Sequence, residues 1–219
     1  MDIALNFVNR SDDLNNSEIV IFQKNVATNY NEMPVAWMVI KNCGRGDHHP
    51  FDFILGNYVA ATDAYGNYTP RLDIQNGQLV KMEFTHSGDR LVRDGYSASA
   101  KQMQVLNNLL RGAIAVHIYK NEKLLATTTS VAPQQKATFE FKPTIWIGVA
   151  SQAVQGQVMD LATISNINTE LSLKDVASAD IVMTGGGPGA NFTPFVFSLE
   201  NVVMQYNPAQ GLPDGSGLT

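Results

Sequence analysis

Short alternating segments are the feature that most constrains the fold of this 219-residue chain. In "DIALNF", the apolar residues Ile3, Leu5 and Phe7 alternate with smaller or more polar ones. Because successive side chains of a strand point to opposite faces, this pattern predicts a half-buried strand. Comparable segments follow along the chain: "EIVIFQ", "VAWMVI", "NYVAATDA", "LVKMEFTH", "GAIAVHIYK", "KLLATTT", "KATFEFKP", "TIWIGVA", "ELSL", "ADIVMT" and "FVFSLENVVM".

Turn-forming residues separate most of these segments, as in "AYGNYTP", "QNGQ" and "HSGDR". About ten to twelve short strands at this spacing predict an all-β fold, an antiparallel β-sandwich or jelly-roll-like architecture. The segment "VAWMVI" is apolar on both faces and predicts a central strand that is covered on both sides.

At most one or two short helices are expected beside these strands. Residues 98–111 are compatible with a helix or a strand, since Met103, Leu106 and Leu110 have helical spacing and Gly112 would serve as a C-cap. The segment "QAVQGQVMDLAT" leaves room for one more helical turn.

The chain contains no linker and no internal repeat, so residues 1–206 are expected to form a single β-sandwich domain. Residues 207–219, "NPAQGLPDGSGLT", form a tail rich in Pro and Gly that has little to bury. Such a tail is expected to fray unless it docks on a partner.

Composition excludes several classes of partner. The net charge is −5 and the 15 Lys and Arg residues are scattered, which argues against nucleic acid. No apolar run approaches the roughly 20 residues of a membrane helix. Because the N-terminus does not resemble a signal peptide and Cys43 is the only cysteine, a cytoplasmic location is expected, with leaderless release left open.

The segment "IKNCGRGDHHPFDF", residues 40–53, concentrates reactive residue types. Asp47, His48 and His49 are candidate metal ligands, but adjacent side chains of an extended segment point in opposite directions. The favoured interpretation is a polar loop in which Gly44 and Gly46 make a turn and which enters a strand at Pro50, before "FDFIL".

Two other functions of this segment are weaker hypotheses. Cys43 would need an orienting base and an electropositive setting to act as a nucleophile, and it is expected to be a small buried hydrophobe instead. Residues 45–47 spell the Arg-Gly-Asp adhesion tripeptide, which recurs by chance in many sequences.

A loop rich in tyrosine supplies a candidate ligand site. Tyr58, Tyr65 and Tyr68 lie close in sequence to Asp63 and Asn67. Aromatic rings beside planar polar groups suit carbohydrate binding, and loop tyrosines are also common in protein interfaces.

Glycines dominate "MTGGGPGANFTP", residues 183–194. A phosphate-binding loop would open a helix, whereas a further strand follows here, so a hairpin or long loop is favoured. Alternatively, Gly185, Gly186, Gly187 and Gly189 would let the backbone lie against a neighbouring subunit.

No catalytic signature is present, neither Gly-x-Ser-x-Gly nor HExxH, and no cofactor is expected. His117 lies in "AIAVHIYK" on the face opposite Ile114, Val116 and Ile118. It is expected to be a satisfied histidine on a polar or half-buried sheet face.

The segments "IVIFQKNVATNYNEMPVAWMVIKNCGRGDHHPF", "VAPQQKATFEFKPTIWIGVA" and "ASADIVMTGGGPG" resemble a group of small bacterial all-β proteins of unknown role. Some members of that group are labelled aromatic ring-opening dioxygenase. Extradiol enzymes bind Fe(II) through two histidines and a carboxylate and use further histidines for acid–base work. Four histidines, two of them adjacent, supply little for such a site, and no residue is carried over from the label.

The leading hypothesis is a non-enzymatic, structural protein that associates with itself, as a homo-oligomer or as a larger assembly such as a filament or inclusion. The low charged fraction of 16% supports this hypothesis, because an uncharged polar surface tolerates protein contact. The first alternative is a carbohydrate or small-ligand module that uses the Tyr58–Tyr68 loop. The second is a metal-dependent enzyme that uses His48 and His49.

Overall fold

A computed structural model describes residues 2–27, 34–150, 152–165 and 167–206, and the predicted tail lies outside these ranges. The described chain is all-β, as predicted from the alternating segments. Its strands are β1 (Ile3–Asn9), β2 (Ile19–Phe22), β3 (Met38–Ile40), β4 (His48–Phe53), β5 (Asn57–Thr62), β6 (Leu72–Ile74), β7 (Gln78–Thr85), β8 (Gly88–Tyr96), β9 (Met103–Asn107), β10 (Ile114–Lys120), β11 (Lys123–Val131), β12 (Lys136–Phe139), β13 (Thr144–Val149), β14 (Thr169–Ser172), β15 (Val176–Gly186) and β16 (Thr193–Met204). One short helix, α1 (Leu161–Ser165), and a 3₁₀ turn at Gly189–Asn191 complete the regular structure in these ranges.

The strands form four sheets of four strands each. Sheet 1 has the order β16-β15-β1-β4, and sheet 2 has the order β11-β10-β5-β6. Sheet 3 is β12-β9-β7-β8 and sheet 4 is β14-β13-β2-β3. Most neighbours are antiparallel, while β1 pairs with β15 and β7 pairs with β9 in parallel. The architecture is therefore sandwich-like.

One hydrophobic core joins the four sheets. Phe7, Val116, Val105 and Ile145 come from sheets 1 to 4 in that order, and all four are fully buried members of the same cluster. A smaller cluster, which includes Phe22 of β2, packs beneath the segment that carries α1. Burial of apolar side chains from every sheet supplies most of the favourable free energy of folding.

The segment "VAWMVI" is buried but is not central. It ends in β3, which lies at the edge of sheet 4 with β2 as its neighbour. Trp37 is fully buried, and its indole Nε1 donates a hydrogen bond to the carbonyl oxygen of Lys120 at 3.0 Å. Ala36 packs into the smaller cluster while Trp37 packs into the main core. The apolar residues on both faces correctly indicated that this segment is buried on both sides. They did not indicate whether the strand lies at the centre or at the edge of its sheet.

Residues 98–111 contain a strand rather than a helix, β9 from Met103 to Asn107. Helical spacing was misleading because Leu110 does not face the core and is 99% exposed. Gly112, with φ of +90°, follows the strand and does not cap a helix.

The predicted turn after residue 43 is present, with the N–H of Asp47 donating to the carbonyl oxygen of Gly44 at 3.0 Å. The following strand, β4, begins at His48, two residues earlier than the predicted start at Pro50. Pro50 lies within the strand and opposite Asn6 of β1. This position is compatible with proline because β4 is an edge strand, which needs no second ladder of hydrogen bonds.

Candidate functional site

The outer side of sheet 2 carries four aromatic side chains and one arginine, which together we name the aromatic face: Tyr58, Tyr68, Arg71, His117 and Tyr119. Tyr119 pairs directly with Tyr58 across β10 and β5, so both side chains lie on the same side of the sheet. The ring of Tyr68 stacks on His117, with centroids 5.3 Å apart and an interplanar angle of 25°. The guanidinium carbon of Arg71 lies 4.0 Å from the centroid of the Tyr119 ring.

His117 is held in place by two hydroxyl groups. Its Nε2 lies 2.8 Å from Oγ1 of Thr62, and its Nδ1 lies 3.0 Å from Oγ1 of Thr127. Burial lowers the pKa of His117 because the charged imidazolium is less well solvated there. The prediction of a satisfied histidine on a half-buried sheet face is confirmed, and this histidine supports the ring of Tyr68.

Asp63 and Asn67, two of the predicted ligand residues, bind each other instead. Nδ2 of Asn67 donates to Oδ2 of Asp63 at 2.9 Å, and the backbone N–H groups of Tyr65 and Asn67 donate to Oδ1 at 2.8 Å. The hydrogen bonds from Asn67 lower the pKa of Asp63. These two side chains therefore fix the conformation of the loop.

Tyr65 faces a different part of the surface from Tyr68. It lines a cleft of about 500 Å³ at the end of the molecule where the 63–67 loop meets the β7–β8 hairpin. We name it the Tyr65 cleft; its lining includes Phe84, Leu109, Leu110, Asp89 and Arg111. Tyr65 is 87% exposed and Phe84 is 74% exposed, so this cleft presents apolar surface to solvent.

The predicted metal ligands line a second recess, of about 330 Å³, that includes Asp47, His48 and His49. His48 pairs with Val8 and His49 pairs with the buried Phe7, so the two imidazoles leave opposite faces of β4. Nowhere in the described ranges do three or more His, Cys, Asp or Glu side chains form a group that could hold a metal ion. The metal site stays a prediction, and the described side chains do not converge into a set of ligands for it.

The Arg-Gly-Asp tripeptide is engaged within the chain. Arg45 forms an ion pair with Asp12, and Oδ2 of Asp47 accepts a hydrogen bond from the backbone N–H of Gly44 at 2.9 Å. Cys43 is buried, and burial followed by the nearby charge of Asp47 raises the pKa of its thiol. A raised pKa disfavours the thiolate, so this setting does not activate a nucleophile.

The glycine-rich segment forms the β15–β16 hairpin, in line with the favoured prediction. An added Cβ at Gly185 would lie 2.2 Å from the carbonyl oxygen of Pro194, and one at Gly186 would lie 3.0 Å from the backbone nitrogen of Asp13. These glycines permit close approach within the chain itself. An added Cβ at Gly187 would lie 2.9 Å from the carbonyl oxygen of Asn191. An added Cβ at Gly189, in contrast, meets no heavy atom of the described chain within 4 Å.

The longest strand, β16, is an edge strand with apolar residues on its exposed surface. Within the described ranges it pairs with β15 alone. Val196, Val202, Val203 and Met204 are all exposed, while Phe197 points into the core. Glu200 is the one charged residue among its twelve, and it forms an ion pair with Arg10 at 2.8 Å.

Sequence reasoning missed two features of these surfaces. Arg71 and Tyr119 were not associated with the tyrosine loop, because they reach it only through the pairing of β5 with β6 and with β10. The exposure of the valines of β16 was not predicted, because the sequence of this strand is as apolar as that of a buried one. The available signal was "ENVVM", in which apolar residues occupy consecutive positions and cannot all face one core.

No protein-family model, curated protein or solved structure matches this chain. The fold therefore defines its class, an all-β sandwich-like protein, and the resemblance to small bacterial proteins stays a prediction. Within the described residues, no helix is long and apolar enough to cross a membrane.

Proposed function

We propose that this protein is a non-enzymatic, structural β-sandwich protein that associates with itself through the free edge of β16. The observation that carries the proposal is a twelve-residue edge strand with exposed valines and methionine. A long edge strand presents unpaired N–H and C=O groups, which a strand of another chain can satisfy.

The middle of β16 is regular enough to serve as a template. Val196 to Glu200 pair with Thr184 to Asp180 without interruption, and the register shifts of this hairpin lie outside that run. Asn201, with φ of +50°, lies at the boundary of the regular segment. The irregular ends limit pairing with a second chain to the segment from Val196 to Glu200.

An antiparallel pair of β16 strands related by a two-fold axis at Ser198 is self-complementary. In that register Phe197 lies opposite Leu199 of the second copy, so side chains that face the core on each chain adjoin one another. Glu200 lies opposite Val196 of the second copy, so no carboxylate faces a carboxylate. The pairing would join two four-stranded sheets into a continuous eight-stranded one.

The other edge of sheet 1 favours a closed dimer over continued growth. That edge is β4, and Pro50 in its middle has no backbone N–H to donate. Addition of further sheets at β4 is therefore disfavoured. A larger assembly would need a second contact, for which the exposed apolar residues of the Tyr65 cleft are available.

The test is sedimentation velocity of the full chain over a range of concentrations, with a variant that carries Ser198→Lys. Ser198 is half-buried on the same side of the strand as the exposed Val196, so folding should be preserved. In the proposed register the two lysines would lie directly opposite each other at the two-fold axis, and like charges in that position oppose strand pairing. We expect a dimer for the wild type and at least about a hundredfold weaker association for the variant.

Two single variants serve as matched controls. Tyr96→Lys places the same charge at the end of the β8 edge, and Leu110→Lys places it in the Tyr65 cleft. Both controls are expected to dimerise as the wild type does. A wild type that is monomeric at high concentration, or a dimer that is lost only with Leu110→Lys, would contradict the proposal.

A further inference from the structure

The aromatic face has the composition of a ligand site that is separate from β16, since it lies on sheet 2 rather than on sheet 1. We propose that the aromatic face binds a neutral oligosaccharide, with Tyr68 and Tyr58 as stacking platforms and Arg71 as a hydrogen-bond donor. The proposal does not depend on self-association, because the two surfaces belong to different sheets.

Tyr68 is prepared for stacking before a ligand arrives. One face of its ring rests on His117, and the side chain remains 65% exposed. His117 cannot turn away without losing its contacts with Thr62 and Thr127. A ring fixed in this way loses little conformational entropy when a ligand stacks on it.

A second aromatic position lies two residues further along β10. Tyr119 shares its side of the sheet with His117, at a distance of about 6.6 Å along the strand from the rise per residue. Tyr58 is directly opposite Tyr119 and is partly exposed. Two platforms in a row suit an extended ligand with repeating rings better than a single small molecule.

The polar groups beside these rings match sugar hydroxyls. Arg71, held over Tyr119, offers N–H donors in a fixed plane, and the carboxylate of Asp73, opposite Tyr58 on β6, offers acceptor oxygens. A sugar ring presents apolar C–H groups on one face and hydroxyls at its rim, and this combination fits an aromatic ring beside planar donors.

Charge selects a neutral sugar over single-stranded nucleic acid, which also stacks on aromatic side chains. Binding of a nucleic acid backbone requires a positively charged groove, and the whole chain has a net charge of −5. Arg71 is the one cationic side chain assigned to this face, and the carboxylate of Asp73 beside it is paired with Arg93 at 3.4 Å.

The loop itself provides a matched control. Tyr65 is three residues before Tyr68, and it is more exposed, but it lines the Tyr65 cleft instead of the aromatic face. Tyr65→Ala therefore removes an equal side chain from the same loop without altering the proposed site.

The experiment is a screen of the labelled full chain on an array of neutral oligosaccharides, followed by calorimetric titration of the strongest hit. We expect binding that Tyr68→Ala and Tyr58→Ala each weaken at least about tenfold, and that Tyr65→Ala leaves unchanged. His117→Phe retains a ring beneath Tyr68 but loses both threonine contacts, and we expect it to weaken binding less than Tyr68→Ala. Circular dichroism of each variant confirms the fold.

Three results would overturn the proposal. The first is the absence of binding to any neutral oligosaccharide at millimolar concentration. The second is binding that depends on Tyr65 but not on Tyr68. The third is tighter binding of the chain to single-stranded homopolymer DNA or RNA than to any sugar. None of these results bears on the state of association, which is measured separately.

Discussion

The edge strands β8 and β16 have opposite surface chemistry. β8 carries four charged residues among nine, Asp89, Arg90, Arg93 and Asp94, whereas β16 carries only Glu200 among twelve. Charged side chains on an edge oppose pairing with another chain, because pairing would desolvate them. An exposed edge therefore does not in itself imply an interface, and the absence of such protection distinguishes β16 from β8.

The hairpins that present the two strands should differ most in their tolerance of an added methyl group. In Gly185→Ala the new Cβ would overlap the carbonyl oxygen of Pro194, and φ of +88° already disfavours alanine. We expect a loss of about 3 kcal/mol or more in the free energy of unfolding, measured by urea denaturation.

Gly88→Ala in the β7–β8 hairpin is the control for that substitution. Gly88 also has a positive φ, of +111°, but an added Cβ there meets no heavy atom of the described chain within 4 Å. Its cost should be close to 1 kcal/mol, about that of the backbone conformation alone. Equal losses in the two variants would show that the close approach at Gly185 does not matter.

Lys120→Met should separate folding stability from association, because Lys120 belongs to neither edge. Burial lowers the pKa of Lys120 to about 8 from 10.5, and its Nζ donates to the carbonyl oxygen of Ile54 at 2.7 Å. Between pH 8 and 10.5 the unfolded chain binds more protons at this residue, so stability rises with pH across that window.

We expect Lys120 to contribute about 3 kcal/mol to that rise, and the Lys120→Met variant to lack this contribution. Urea denaturation of both proteins across the same pH range measures the difference. Dimerisation should be equal in both proteins at pH 7. Parallel pH profiles would contradict the assigned burial of the amine.

Removal of the charges from β8 should make the two edges more alike. In a variant with Arg90→Val and Arg93→Val, we expect new association beyond the dimer, about tenfold stronger than that of the wild type by light scattering. Arg90→Glu with Arg93→Glu keeps the strand charged and should cause none. Association by both variants would exclude protection by charge as the cause.

The smallest effect is expected for Glu200→Gln on β16. The ion pair with Arg10 is solvent-exposed on both sides, at 52% and 40% of the two side chains. Exposed pairs contribute about 0.5 kcal/mol or less, so thermal denaturation should change little. Dimerisation should also be retained, since the proposed register does not place Glu200 against another charge. A large loss of either property would show a role for this carboxylate that the register omits.

Much of the fold could be predicted from the sequence because its strands alternate. All twelve alternating or apolar segments correspond to strands, while β6 and β8 were missed, β4 was predicted to begin at Pro50 instead of His48, and β9 was left undecided. In β8, charged residues and two glycines interrupt the apolar alternation that identifies a strand. In β4, histidine and proline have the same effect. Alternation of apolar and polar residues indicates a strand with one buried face. A strand that buries few side chains therefore lacks this pattern.

The candidate sites depended on pairing between distant strands, which local patterns do not encode. Asp63, Tyr65 and Tyr68 are neighbours in sequence but have different surroundings. Asp63 holds the loop through its hydrogen bonds, Tyr65 lines the Tyr65 cleft, and Tyr68 belongs to the aromatic face. Conversely, Tyr58 and Tyr119 are far apart in sequence and lie opposite one another. The exposure of β16 could not be predicted either, because the composition of a strand does not show whether it lies at the edge of its sheet.

Backbone hydrogen exchange of the two edges at low and high protein concentration tests the central claim most directly. If β16 pairs with a second copy, amides of Val196 to Glu200 should gain protection as concentration rises, while those of β8 exchange at a constant rate. Protection in β16 that does not depend on concentration, in a protein that remains monomeric, would contradict the account.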